Sequence, residues 1–203
     1  MTRRLRVSLF FSLVVAPNLA FAHAPIPGIN NFYNGLLHPV LVPSHALLWF
    51  SAGLLFGQQQ AKQFRAAFLS LLPAIVSGLV VSGFSPGSQF EFFILVMAAI
   101  IGLLVAASPR IPTYWCVIIA VVTGFSIGFD SAQESLSGTA KFVALLGSGI
   151  GIFFLTLYAF GLSSFCNSKK DWLRILIRVF GSWIAASALL VLALSISSTE
   201  TWS

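Results

Sequence analysis

Residues 36–57 read "LLHPVLVPSHALLWFSAGLLFG". This stretch is long enough and apolar enough to cross a bilayer core, which takes about 20 apolar residues of helix. It also holds two histidines and two prolines near its start, His38, Pro39, Pro43 and His45. The span therefore decides two things together. It places the chain in a membrane, and it puts ionisable groups where they are costly. An ionisable side chain within a membrane segment is by default a candidate for function.

The rest of the chain agrees with the first point. Of 203 residues 58% are hydrophobic and only 8% charged, with a mean hydropathy of +0.95. Soluble domains carry about 25% charged residues. Five further apolar segments follow, at 64–84, 90–107, 113–129, 140–162 and 173–195, separated by short turn-rich connections. The expected fold is all-α, a polytopic bundle of six transmembrane helices forming one domain over residues 23–203. The formal charge of +6 does not imply nucleic acid, because the basic residues sit at the ends of apolar runs. Cys116 and Cys166 lie in different segments and form neither a CxxC pair nor a disulfide framework.

Residues 1–22 have the three parts of a secretory signal peptide. Arg3, Arg4 and Arg6 form the basic region, Val7 to Val15 the short apolar region, and Ala20, Phe21 and Ala22 an A-x-A-like cleavage site. Cleavage after Ala22 would make His23 the mature N-terminus. Its free α-amine and imidazole could then chelate one divalent ion. The plainer reading is a frayed terminal residue.

Lys62 and Arg65 follow the first span, Arg110 the third, and Lys169, Lys170 and Arg174 the fifth, whereas the second and fourth connections hold only Lys141. The positive-inside rule then places the odd-numbered exits in the cytoplasm and both mature termini outside. The signal segment independently delivers His23 to the same outer side. Tyr114, Trp115 and Trp172 flank spans at the cytoplasmic interface, as aromatic belts do. The expected location is a bacterial inner (cytoplasmic) membrane, with periplasmic termini.

By this topology His23, His38, His45, Asp130 and Glu134 all lie toward the outer side, as does Glu91. His38 and His45 are seven residues apart and share a helix face, but an ideal helix separates them by roughly 10 Å. One ion, with metal–nitrogen bonds of about 2.0–2.1 Å, could not bridge them. Either the helix is broken, for which Pro39 and Pro43 supply a reason, or the two imidazoles serve successive positions. Asp130 and Glu134 are four apart and share a face if the fourth helix continues; otherwise they are an exposed acidic loop. Three imidazoles and two carboxylates suit a borderline divalent transition ion better than Ca²⁺ or an anion. Deeper polar residues on a conduction path would be Ser77, Ser82, Thr123, Ser126 and Ser148. The patterns Gly124-x3-Gly128 and Gly147-x3-Gly151 read as ordinary membrane glycines, or as close-packing positions. A 3+3 inverted repeat fits the helix number, but internal similarity is faint.

These residues resemble the HupE/UreJ family of small membrane proteins, regarded as secondary nickel or cobalt permeases linked to hydrogenase and urease. The family's first-helix motif is H-P-x4-D-H. Here "HPVLVPSH" supplies His38, Pro39 and His45, with Ser44 in the aspartate position. The fourth-helix motif, approximately H-G-x-[AV]-H-G-x-E, aligns with "IGFDSAQE". Gly128 and Glu134 match, Ile127 and Ser131 replace histidines, and Asp130 is an added acid. The resemblance implies a signal peptide, six helices and a metal-ion permease.

The expected function is a secondary permease for a divalent ion, nickel or cobalt, captured by His23, His38, His45, Asp130 and Glu134 on the outward face. No resident cofactor is expected. The partners are the ion and the lipid bilayer, with a homo-oligomer left open. The chain has no G-x-x-x-x-G-K-[ST] loop, so it does not itself bind ATP in that manner. Alternatives are a non-transporting assembly protein, a haem-binding subunit, or a metal-dependent membrane hydrolase. The last lacks both H-E-x-x-H and G-x-S-x-G.

Overall fold

The computed structural model describes residues 28–84, 90–132, 136–169 and 171–200. The signal segment, His23 and Glu134 lie outside the described residues. Among those described, the chain forms seven α-helices and no strand. They are α1 (Asn31–Leu41), α2 (Pro43–Gly57), α3 (Ala61–Phe84), α4 (Glu91–Ala107), α5 (Thr113–Phe129), α6 (Gly138–Lys169) and α7 (Asp171–Glu200). Large apolar side chains on the outside, among them Leu69, Phe154 and Leu190, remain exposed for lipid to cover. The protein is a helical membrane bundle.

The first span is not one helix. It starts earlier than expected, at Asn31, where the Asn30 side chain accepts the Phe32 N–H. It then bends by 70° between α1 and α2. The cause is local. A residue before proline is disfavoured in the helical region. Val42 precedes Pro43 and is extended, at φ −86° and ψ 110°. Pro43 then starts α2 at a position where a missing N–H costs nothing.

Each of the two prolines also leaves a carbonyl four residues back without its helical donor. Both carbonyls are satisfied from elsewhere. The Ser148 hydroxyl donates to Gly35 O at 3.1 Å, and the Trp49 indole N–H donates to Pro39 O at 3.0 Å. Ser148, expected on a conduction path, is buried and hydrogen-bonded to the broken span.

α2 is the central post. His45, Leu48, Ala52 and Leu55 on it are fully buried, and it touches α1, α3, α4, α5, α6 and α7. Its lower end is fastened by Gln58 and Gln59. Gln58 donates to Val105 O, while Gln59 donates to Pro109 O and accepts the Ile111 N–H. This ties the end of α2 to the α4–α5 connection.

Around α2 the helices pair as α1 with α6, α3 with α5, and α4 with α7. Small residues make these approaches close. A Cβ on Gly128 would come within 2.6 Å of Ile75 O, and one on Gly151 within 2.5 Å of Leu36 O. Gly102 and Gly181 each lie against the other's carbonyl, where a Cβ would come to 2.9 and 2.8 Å. The two small-xxx-small patterns are therefore helix contacts, on α3 for Gly124 and Gly128 and on α1 for Gly147 and Gly151.

Three helices are long and apolar enough to cross a bilayer, Ala61–Phe84, Gly138–Phe165 and Asp171–Ile196. The bent pair makes a fourth if its two limbs form one crossing. α4 and α5 have 17 residues each. That is about 25 Å of helix, somewhat short of a hydrocarbon core of about 30 Å. Each lies alongside a long helix, α7 and α3 respectively.

Two glycines on α6 test this packing. A Cβ on Gly147 would overlap Phe32 O, whereas one on Gly161 would meet nothing within 4 Å. Gly147→Val should destabilise the detergent-solubilised protein by about 1–3 kcal/mol or more. Gly161→Val should be neutral in the same thermal or denaturant unfolding. Equal effects would show that α1 and α6 do not approach as described.

Candidate metal-ion site

The bend brings together what an ideal helix would separate. His38 lies in the last turn of α1 and His45 in the first turn of α2. Their ring centroids are 5.3 Å apart, with ring planes inclined at 76°. Both residues are buried, at 2% and 0% exposure. The expectation of a broken helix holds, and with it the possibility that both imidazoles address one ion.

A third group comes from α5. Asp130 follows the last residue of that helix, and its backbone N–H reaches Ser126 O at 3.0 Å. Its side chain points inward and is buried. Oδ2 lies 3.0 Å from His45 Nε2. With its proton on Nε2, His45 donates to the carboxylate. The other oxygen, Oδ1, accepts the Phe90 N–H at 3.4 Å, at the start of α4. Asp130 thus joins α2, α4 and α5 at one end of the bundle. It is not an exposed loop acid.

A buried carboxylate is expensive unless it is paired and hydrogen-bonded. His45 and the Phe90 amide supply that pairing. The arrangement holds the imidazole in one orientation, as carboxylates commonly do for metal-ligating histidines.

Ser44, beside His45, is fully buried, and its hydroxyl has no hydrogen-bond partner among the described residues. The same holds for Thr123 on α5 and Ser82 on α3, at 2% and 1% exposure. Of the other hydroxyls expected on a path, Ser77 and Ser126 donate to Ala74 O and Val122 O of their own helices. Those two are spoken for by backbone. Glu91 is exposed at the start of α4 and is not drawn into the cluster.

His38 approaches His45, and His45 approaches Asp130. Among the described residues, no three His, Cys, Asp or Glu side chains are gathered tightly enough to hold a metal ion as they stand. The two remaining candidates, His23 and Glu134, lie outside the described residues.

The sequence pointed to the histidines and to Asp130 by residue type and side of the membrane. It marked Ser44 only as the residue in the motif's aspartate position, and did not point to Trp49 or to the hydrogen bond of Ser148. The signal for the last two was present: counting four residues back from each proline finds the carbonyls that need a donor.

Neither a curated protein nor a solved structure shows significant similarity to this chain. The model of the HupE / UreJ protein family matches residues 11–191, so the match takes in the bent span, the pair of imidazoles and Asp130, and the chain belongs to that family.

Proposed function

We propose that this membrane protein is a secondary permease for a divalent transition-metal ion, nickel or cobalt, captured on the outward face of the bundle. One observation carries the reading. A proline-induced break folds His38 against His45 in a buried position, and a carboxylate from another helix holds His45. Irregular backbone at membrane depth is tolerated where it lines a cavity or a site, and here the break sits among ionisable groups. Imidazole with carboxylate is a donor set suited to nickel, cobalt or zinc.

The site lies where α1 ends, α2 begins, α5 ends and α4 begins. The opposite end carries Lys62, Arg65, Arg110 and Arg174. By the positive-inside rule that end is cytoplasmic, so the site faces outward, in a bacterial inner membrane with periplasmic termini. His23, if exposed by signal cleavage, and Glu134 belong to the same outer side and complete the proposed ligand set.

An arriving ion has two courses open. It can bind the imidazoles while Asp130 keeps its hydrogen bond to His45 and raises the basicity of the ring. Alternatively it can replace that hydrogen bond with a bond to each partner. Either course needs a small inward movement of ligands, since no three are gathered at bonding distance among the described residues. The buried hydroxyls of Ser44 and Thr123 offer neutral oxygens near the site and about two helical turns deeper along α5. The two rings meet edge to face at 5.3 Å. That contact leaves no gap between them for a haem macrocycle.

The resemblance gives Asp130 a further meaning. Where the family motif has an aspartate, this chain has Ser44, and a carboxylate reaches the same imidazole from α5 instead.

Two measurements test this reading. Uptake of labelled Ni²⁺ and Co²⁺ at sub-micromolar supply, in an uptake-deficient host, should be restored by the wild type. His45→Ala and His38→Ala, at matched membrane levels, should lower it at least tenfold. No uptake of either ion by well-inserted wild type would refute a nickel or cobalt permease. In the second experiment Asp130→Asn should reduce uptake strongly, and adding Ser44→Asp to that variant should recover part of it. Recovery would show that a carboxylate beside His45 is what matters, from whichever helix it comes. A fully active Asp130→Asn protein would remove Asp130 from the site.

A further inference from the structure

At the end of the bundle away from the histidines, α4 and α7 enclose a shallow groove of about 340 Å³, lined by Ala106, Ile175, Arg178, Val179 and Ser182. Arg178 dominates it. It stands seven residues after Asp171, the first residue of α7, which is about 10 Å along the helix. Ile175 and Val179, which line the groove with it, are exposed apolar side chains. Ile175 is 60% exposed and Trp183 63%, with no protein covering them among the described residues.

The side chain is exposed, and a backbone carbonyl fixes its position. Arg178 Nε donates to Ala106 O at 2.7 Å. Ala106 is in the last turn of α4, whose terminal carbonyls lack helical donors. A cation at a helix C-terminus is favourable, so part of the role of Arg178 is to cap α4. That contact uses one donor. A guanidinium carries five, and the terminal nitrogens form a planar fork that matches two oxygens of a phosphate. Among the described residues no carboxylate pairs with Arg178. The nearby Asp171 is bonded instead to Arg174, at 3.4 Å. The Ser182 hydroxyl donates back to Arg178 O at 3.2 Å, so it does not neutralise the fork.

We propose that this groove binds the headgroup of an anionic phospholipid, with the Arg178 fork on the phosphate and the acyl chains along the exposed apolar face of α7. The exposed apolar side chains of Ile175 and Val179 beside the fork suit acyl chains, which a soluble anion lacks. Arg110, three residues beyond the end of α4, and Arg174, in the first turn of α7, lie at the same end of the bundle. Basic pockets between helices are suited to anionic headgroups, and Arg178, the basic residue that lines this one, adds roughly fivefold in affinity for an anionic lipid. The inference does not depend on the transport reading, only on the bundle lying in a bilayer.

Native mass spectrometry of the full chain in detergent tests it. The probes are phosphatidylglycerol and phosphatidylcholine of equal chain length, with inorganic phosphate as a separate arm. Wild type should retain phosphatidylglycerol about fivefold more than phosphatidylcholine. Arg178→Gln should lose the preference, Arg178→Lys should keep part of it, and Arg174→Gln should keep most. Ser182→Glu places a carboxylate one turn from Arg178 and should also abolish the preference while leaving the arginine in place; it decides the matter if Arg178→Gln does not fold. An unchanged preference in both Arg178→Gln and Ser182→Glu would overturn the proposal. So would displacement of the lipid by millimolar inorganic phosphate, which would make this a soluble-anion site.

Discussion

The structure depends on the hydrogen bond that Pro43 cannot make. Without an N–H at that position, and with Val42 pushed out of the helical region, the first span cannot continue past Leu41. The 70° bend follows, and the pairing of His38 with His45 follows from the bend. On a straight helix His38 and His45 would be stacked roughly 10 Å apart. On the broken one their rings touch. A backbone break inside a membrane bundle is tolerable only if the orphaned carbonyls find donors, and Ser148 and Trp49 provide them. The break is therefore built into the packing on both sides.

The same packing explains why the site can be held so far from water. α2 is surrounded on all sides, and the helices around it approach through glycine contacts that leave no room for a Cβ. The Asp130 carboxylate reaches His45 because α5 lies tightly on α3 and ends beside the start of α4. A looser bundle would let water into the His45–Asp130 pair and weaken it, since a charge interaction is stronger at low dielectric. The Gln58 and Gln59 contacts fix α2 at its other end. His45 is thus mounted on this post, and His38 faces it from the other side of the bend.

Much of this was legible in the residues. The helical membrane class followed from composition, and the helices came where the apolar runs stood. The break was anticipated from Pro39 and Pro43. Which of the two prolines makes the bend was not legible, since each could end a helix; the structure puts it at Pro43 and leaves Pro39 inside α1. What the sequence hid was long-range. Nothing in the spacing of Ser148 from Gly35 announces a hydrogen bond across 113 positions, and nothing local makes Asp130 the partner of His45 across 85. The glycine patterns gave an ambiguous signal, since membrane helices carry many glycines. Their role appears only when the neighbouring carbonyls are in place. The earlier start of α1 at Asn31 escaped because its first turns are polar and aromatic rather than uniformly apolar, and a hydropathy reading begins where the apolar run begins.

The central claim is that the bend makes His38 and His45 ligands of one metal ion. Nickel-edge X-ray absorption of the purified full-length protein, loaded with one equivalent of Ni²⁺, tests it most directly. The account predicts a nitrogen and oxygen shell with multiple scattering from two or more imidazoles, reduced by one in His38→Ala and by one in His45→Ala. A shell of oxygen alone, unchanged in both variants, would contradict it.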